Sequence, residues 1–439
     1  MKIKVHSQLI YSLIFKFISM TLVFLTTSLI YKYLGSNDYG IWVTIYSIIS
    51  WVYFLDFGFS NVIKTKLPTL LNNKEKEVSI LISTIYIGIG AISLLILLLF
   101  LTLNCFISFA DFLNIDVSFV NFNGLLFLNL LFSTFILIIG NYKALFVGVV
   151  KTHVVEFSLM VIQLFIVFAI FILYKYDLFQ NYSKIFLVSN VFGLLNLLIG
   201  IGFTIYFFKK NKGIVVSFKN FDLSILKINA SLGLKYFIIQ ACMIVIFSTD
   251  YVLITKYFGS KDVANYDIVL KVFQVPMLLV IAALSPYWSI FSKTFSEKKH
   301  AWIKKTLVTF NLLFPFFIVG IAVLTFLINE IIYLWMNVRF EISKALLITI
   351  SIYVSMRTFT AMYNYFLNGI NKINLSLWLT IFGAVINIPI CVALIKAGFG
   401  VSGIVIGTCI SILPTTIALP IQAFRIINRN IKEDATKNY

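Results

Sequence analysis

Ala91-Ile-Ser-Leu-Leu-Ile-Leu-Leu-Leu-Phe-Leu-Thr-Leu103 carries no charge and does not alternate apolar with polar positions. Leu159–Tyr174 repeats the pattern, with Gln163 as its one amide. Continuous apolar runs of this kind are buried or membrane-spanning helices, and their recurrence along 439 residues points to a polytopic membrane protein. An outer-membrane barrel is excluded, because its strands would change polarity at every second residue. Composition agrees: 60% of residues are hydrophobic and 12% charged, against about 25% charged in soluble chains. A soluble enzyme, a disordered chain and a disulfide scaffold are all excluded. The net charge of +18 would suggest nucleic acid in a soluble protein. In a membrane protein it reflects Lys and Arg collecting in cytoplasmic loops, so no nucleic-acid partner is expected. Four scattered cysteines without a CxxC and three distant histidines give no readable metal site. Met1–Gln8 is short and basic, and the run after it is too long for a signal-peptide core.

Working outward from these runs gives about twelve helices, near 9–31, 41–62, 79–103, 123–148, 155–174, 185–208, 232–255, 265–290, 306–328, 344–367, 373–395 and 400–424. An even number puts both termini on one side. With the N-terminus inside, the inner loops and tails hold 22 of the 35 basic residues and the outer loops eight. That bias predicts cytoplasmic termini and a multi-pass protein of the bacterial inner membrane. The longest loop, Lys209–Ser231, leaves no room for a soluble catalytic domain.

Lys32-Tyr33-Leu34-Gly35-Ser36-Asn37-Asp38 recurs as Lys256-Tyr257-Phe258-Gly259-Ser260-Lys261-Asp262, an offset of 224 residues, close to half the chain. Each copy leaves an odd-numbered span. The repeat predicts a duplicated six-plus-six architecture inserted the same way up, with the transport path where the halves meet. The expected divisions are an N-terminal six-helix lobe at 1–210, a cytoplasmic linker at 211–231, a C-terminal six-helix lobe at 232–425 and a cytoplasmic tail at 426–439. The fold class is therefore an all-α membrane protein of two six-helix lobes related by a pseudo-two-fold axis.

Ionisable groups inside spans are the informative residues, since each costs at least about 2.5–3.5 kcal/mol at mid-membrane. The bases are Lys16, Lys143, Lys235, Lys271 and Arg357; the acids are Asp56, Asp250 and Asp267. Lys16 and Lys235 come from equivalent helices of the two halves, and Arg357 sits near the middle of the tenth span. Together they are cavity candidates for an anionic substrate, whose phosphate oxygens Arg grips bidentately. Lys143 lies close enough to its span's cytoplasmic end to snorkel. Lys271 has Asp267 one turn away, so an i,i+4 ion pair competes with a ligand role. Asp250 reads as a solvated edge residue or as a partner of Lys271. Asp56, in Trp51-Val-Tyr-Phe-Leu-Asp56-Phe-Gly58, reads equally as a helix-interior partner of a nearby Lys and as an ion site. Asp56, Asp250 and Asp267 are the ion-coupling candidates.

No GxxxxGK[ST], HExxH or Ser/His/Asp set is present, so no cofactor is expected. Energy then comes from an H+ or Na+ gradient, the membrane potential or consumption of product. Gly403-Ile-Val-Ile-Gly407 reads as a close-packing motif within the bundle.

Leu34-Gly35 with Tyr39-Gly40-Ile41-Trp42, and Trp51 with Asp56-Phe57-Gly58 and Asn61, resemble the start of bacterial polysaccharide flippases of the Wzx type. Gln274-Val-Pro276, Asn368-Gly369-Ile-Asn-Lys372, Asn387-Ile388 and Gly400-Val-Ser-Gly403 extend the resemblance over about residues 9–425. That family lies in the multidrug/oligosaccharidyl-lipid/polysaccharide exporter superfamily with the multidrug and toxic-compound extrusion (MATE) proteins. The resemblance implies two six-helix lobes around a cationic central cavity. It implies alternating access that carries an undecaprenyl-diphosphate-linked oligosaccharide, such as an O-antigen unit, to the periplasmic leaflet. The protein is expected to be a monomeric secondary transporter, acting alone or beside a polysaccharide polymerase and a chain-length regulator. The rival readings are a lipid II or teichoic-acid precursor flippase, a drug exporter with an acid-dominated lumen, and an integral-membrane sugar polymerase with a long basic outer loop.

Overall fold

The computed structural model describes residues 2–437 apart from 55, 71–74, 107–108, 113–121, 150, 180–181, 285–286 and 341. Among these there is no strand. The chain divides into two compact units, Met1–Ala241 with Thr255–Lys261 and Cys242–Ile254 with Asp262–Tyr439.

In the first unit lie α1 (Lys2–Leu34), α2 (Ser36–Ser50), a 3-10 turn (Trp51–Phe54), α3 (Phe59–Leu70), α4 (Glu75–Phe106) and α5 (Phe109–Phe112). They are followed by α6 (Phe122–Ile139), α7 (Tyr142–Gly148), α8 (Thr152–Tyr176), α9 (Lys184–Lys210) and most of α10 (Leu223–Phe247). Here α1 packs along α8, and α6 lies against both α4 and α9. In the second unit lie most of α11 (Thr249–Phe258) and of α12 (Ser260–Leu284), then α13 (Tyr287–Ser296), α14 (His300–Met336), α15 (Lys344–Gly369), α16 (Asn374–Lys396) and α17 (Gly400–Lys437). There α17 packs on α15 and α16, around a core that includes Phe291, Ile303, Phe366 and Leu419.

Eleven stretches of the described residues are long and apolar enough to cross a membrane; the first, Ile10–Ser50, contains both α1 and α2. With those two counted separately, the stretches correspond to the twelve expected spans. The chain is an all-α, multi-pass membrane protein. Its outward faces are apolar, as lipid requires: Phe326 and Leu334 of α14 are 87% and 82% exposed.

Helix ends follow local chemistry. Glu75 and Glu77 open α4 and Lys209 and Lys210 close α9, each sign opposing the helix dipole. Ser343 caps α15 by accepting the Leu346 N–H at 3.2 Å. The two copies of the repeat adopt one conformation. Gly35 and Gly259 both have positive φ (78° and 97°), and each N–H bonds the carbonyl four residues back, Tyr31 and Thr255. In both, a helix restarts at the following serine. Residues 255–261 pack against α2: a Cβ on Gly40 would fall 1.7 Å from the Ser260 carbonyl oxygen, and Thr44 and Thr255 share a hydroxyl bond of 2.6 Å. At Gly407 a Cβ would meet Cys391 Sγ at 2.5 Å, so the expected close-packing glycine seats α17 against α16.

Among the described residues three spans differ from continuous helices, the seventh by a turn at Ser248 between α10 and α11. The second breaks between the 3-10 turn and α3, where Phe57 and Gly58 are left-handed (φ 49° and 74°). The fourth breaks at Gly140–Asn141 between α6 and α7. Helix α10 begins at Leu223, inside the stretch expected to be a linker up to residue 231.

Candidate functional site

The two breaks in the first unit meet at a polar cavity of about 380 Å³, lined by Asp56, Ser60, Asn129, Asn141, Lys143, Gln163 and Asn196 among others. Asp56 is 7% exposed and is not helix-interior as one reading expected. Its carboxylate accepts from the backbone N–H groups of Gly58 (2.9 Å) and Ser60 (3.2 Å), satisfying donors at the start of α3. Ser60 Oγ donates to Asn141 Oδ1 (3.0 Å), joining one break to the other. Asn141 Nδ2 in turn donates to the Leu137 and Ile138 carbonyls at the end of α6. Interrupted helices at membrane depth expose backbone polarity only where they border protein or a cavity, which is their position here.

Asp56 and Lys143 are the charged residues of this lining, and a chain of charged neighbours extends beyond them. Asp56 is the electrostatic neighbour of Lys64, Lys64 of Lys143, Lys143 of Glu156, and Glu156 of Lys16. Three bases and two acids leave one positive charge in excess. The amides are arranged as acceptors. Asn129 and Asn196 direct Nδ2 to their own helix, onto Leu125 and Phe192 (2.9 Å each), which leaves Oδ1 for a hydroxyl-bearing ligand. Tyr46 and Trp42 stack at 5.5 Å, with Phe192 edge-on to both.

In the second unit, Arg357 of α15 donates to Tyr353 Oη (2.7 Å) and lies 4.1 Å from the Phe247 ring centroid. It lines a separate cavity of about 160 Å³ with Phe247, Thr360, Asn364, Thr380 and Ser411. One guanidinium N–H is held by Tyr353, and the planar fork offers the others to an oxyanion. Lys271 pairs with Asp267 at 2.7 Å, one turn apart, so the i,i+4 reading describes both; Tyr251 Oη donates to the same carboxylate at 3.1 Å.

The expectation of Asp250 as a solvated edge residue or a partner of Lys271 is corrected. Asp250 is 1% exposed, at the first turn of α11. Its two oxygens accept from Tyr266 Oη (3.1 Å) and Thr408 Oγ1 (3.0 Å). Asn387 donates to Thr408 (3.4 Å) and Ser411 (3.2 Å) beside it, and Arg357 is an electrostatic neighbour. The sequence hid this because its partners lie 16 and 158 residues away.

Of the expected cavity residues, Lys16 and Lys143 belong to the first unit and Lys271 and Arg357 to the second. The side chain of Lys235 lies outside the described residues. Sequence reasoning missed Glu156, Asn129, Asn141 and Asn196. The available signal was an amide or acid on an apolar helix, where such residues are expensive. Among the described residues, no three or more His, Cys, Asp or Glu side chains group as a metal site.

No family model matches the chain. A Salmonella typhimurium protein named "Putative O-antigen transporter" is 23% identical over 178 residues, 40% of this chain; the match spans only 41% of that protein's length. A Yersinia pseudotuberculosis protein named "Putative O-antigen export protein" is 23% identical over 393 residues, 83% of each chain. Among solved structures, an inward-facing multidrug-resistance transporter of the MATE family, in the MOP superfamily, aligns with a TM-score of 0.75 at 13% identity over 97% of this chain and 99% of its own. The chain is thus a membrane protein with the fold of MATE transporters, similar in sequence to proteins named as O-antigen transporters.

Proposed function

We propose that the protein is a flippase that carries undecaprenyl-diphosphate-linked oligosaccharide units, of O-antigen or a related surface polysaccharide, from the cytoplasmic to the periplasmic leaflet. The observation that carries the reading is the first unit's cavity, where Lys143 and its charged neighbours sit beside amide acceptors and an aromatic cluster. Lysines favour a diphosphate, amide oxygens take sugar hydroxyls, and aromatic faces stack on sugar rings. The names of the sequence relatives support the same substrate class. The physical problem is desolvation, since a sugar diphosphate is far too polar to cross hydrocarbon unaided.

Transport proceeds by alternating access, as a secondary process without covalent chemistry on the substrate. The protein acts as a monomer in the inner membrane with both termini cytoplasmic, beside a polymerase and a chain-length regulator. Asp250 is the favoured ion-coupling group, because it is buried and held by two hydroxyls rather than by a lysine. Asp267 is disfavoured by its pairing with Lys271, and Asp56 by its capping bonds.

Surface glycan display tests the reading in a deletion strain complemented with wild type, Lys143→Ala, Lys16→Ala or Arg357→Ala. Loss of glycan at normal membrane abundance is expected for Lys143→Ala and Arg357→Ala. Full display by all three would make these charges structural and would overturn the assignment.

A further inference from the structure

The chain leaves α9 at Lys210 and enters α10 at Leu223. The residues between are fastened, and three hydroxyls of α4 do the fastening. Ser79 Oγ donates to the Gly213 carbonyl (3.3 Å) and accepts from the Val215 N–H (3.1 Å). Ser83 Oγ donates to the Val215 carbonyl (3.2 Å) and accepts from the Ser217 N–H (3.1 Å). Thr84 Oγ1 donates to the Asn220 carbonyl (3.5 Å) and accepts from the Asp222 N–H (3.0 Å). Each hydroxyl bridges residues n and n+2, the service a neighbouring strand would give.

A loop in water has no need of this, because water satisfies its backbone. At a membrane boundary water is scarce, and an unpaired N–H or C=O is costly. The three hydroxyls themselves are buried. They occupy the early turns of a stretch that qualifies as a membrane span from Glu75 onward. From Ser79 to Thr84 is about 7.5 Å along the helix axis, so the segment runs in the direction of the hydrocarbon.

Its side chains divide accordingly. Ile214 is buried inward, whereas Val215, Phe218 and Phe221 are 55%, 85% and 40% exposed. Lys209, Lys210, Lys212 and Lys219 are exposed among them, and Asp222 is the one acid from 209 to 223. Exposed aromatic and aliphatic side chains interleaved with lysines match a membrane interface, with rings at the acyl boundary and ammonium groups at phosphates.

We propose that residues 211–222 form an interfacial strap bound to anionic phospholipid: Val215, Phe218 and Phe221 enter the leaflet, and the four lysines hold its headgroups. The strap sets the depth of the chain between α9 and α10. It is independent of which substrate the protein carries.

The test uses full-length protein with its four cysteines replaced by alanine, spin-labelled at Phe218→Cys or Lys212→Cys, in liposomes of phosphatidylethanolamine and phosphatidylglycerol. The label at 218 should collide severalfold more readily with oxygen than with a water-soluble nickel chelate, and the label at 212 should show the reverse. Equal nickel access at both positions would overturn the proposal. If the cysteine-free chain does not fold, p-benzoylphenylalanine at position 218 of the native chain reads the same contact. Photo-adducts to lipid are expected; adducts to a second copy or to a soluble protein overturn it. Lys→Gln at 209, 210, 212 and 219 together should lower the phosphatidylglycerol retained per protein in native mass spectrometry several-fold. Unchanged retention would overturn the role of the lysines.

Discussion

Gly40→Ala should unseat α2 within the first unit. A methyl at this position would lie 1.7 Å from the Ser260 carbonyl oxygen and 2.5 Å from its carbon. Carbon and oxygen ordinarily stay about 3.3 Å apart, so one backbone must retreat by about 1.6 Å. Both are backbone atoms, and no side-chain rotation relieves the clash. One turn along, the Thr44–Thr255 bond of 2.6 Å joins the same pair of segments and is buried. A retreat of that size breaks it. Overpacking costs about 1–3 kcal/mol, and the lost hydrogen bond costs about 0.5–1.5 kcal/mol more, since Thr44 Oγ1 keeps its bond to the Gly40 carbonyl. The combined loss is about 1.5–4.5 kcal/mol, against a helix-propensity gain of at most about 1 kcal/mol. Gly90→Ala is the control, because a Cβ there meets nothing within 4 Å; it should match or exceed wild type. Thermal unfolding in detergent, followed by size-exclusion, ranks the three. A Gly40→Ala protein that melts with Gly90→Ala would refute the packing described for α2.

Asp267→Asn should destabilise by about 1–3 kcal/mol by removing the carboxylate charge 2.7 Å from the partly exposed Lys271, and Lys271→Met added to it should restore most of the loss; a denaturation series of the two variants checks this. Ser83→Ala removes one donor and one acceptor from Val215 and Ser217, so hydrogen exchange at 215–217 should accelerate with the transmembrane helices unchanged. Hydrogen bonds from the Ser224 side chain and backbone hold the exposed Asp222 carboxyl below the usual range. A lowered folded value means the cap at the start of α10 is fully present above the ordinary carboxylate pKa, about 3.9, and is lost as pH falls through the depressed value. Protection at 223–226, corrected for intrinsic exchange, should therefore fall only in acid, and Asp222→Asn should remove that dependence. If the substrate crosses as a diphosphate with two negative charges, an interior-negative potential of 100 mV favours export by about 4–5 kcal/mol. Collapsing only the potential in sealed vesicles should slow flipping, and an unchanged rate would remove the potential as a driving force.

The parts legible in the sequence were those set by short-range physics. Apolar runs marked the spans because a helix must present hydrocarbon to hydrocarbon, and the duplicated Lys-Tyr-x-Gly-Ser turns marked the repeat because only glycine takes their positive φ cheaply. Lys271 and Asp267 were readable as a pair because helical geometry brings i and i+4 together. Glu156 escaped notice because it stands at the start of an expected span, where an acid reads as helix-end decoration.

What the tertiary structure alone decided was the company each polar group keeps. Asp56 became a cap because Phe57 and Gly58 turn left-handed, a conformation sterically open to glycine but disfavoured for phenylalanine unless its surroundings hold it. Asp250 became a buried acceptor because Tyr266 and Thr408, distant along the chain, converge on its two oxygens. Residues 213–222 became a fastened strap because three hydroxyls on α4 offer partners at matching spacing. The sequence by itself determined which segments leave water, since that depends on composition summed over about twenty residues. Which polar side chains meet inside depends on directional bonds between atoms that only the fold brings within 3 Å or so.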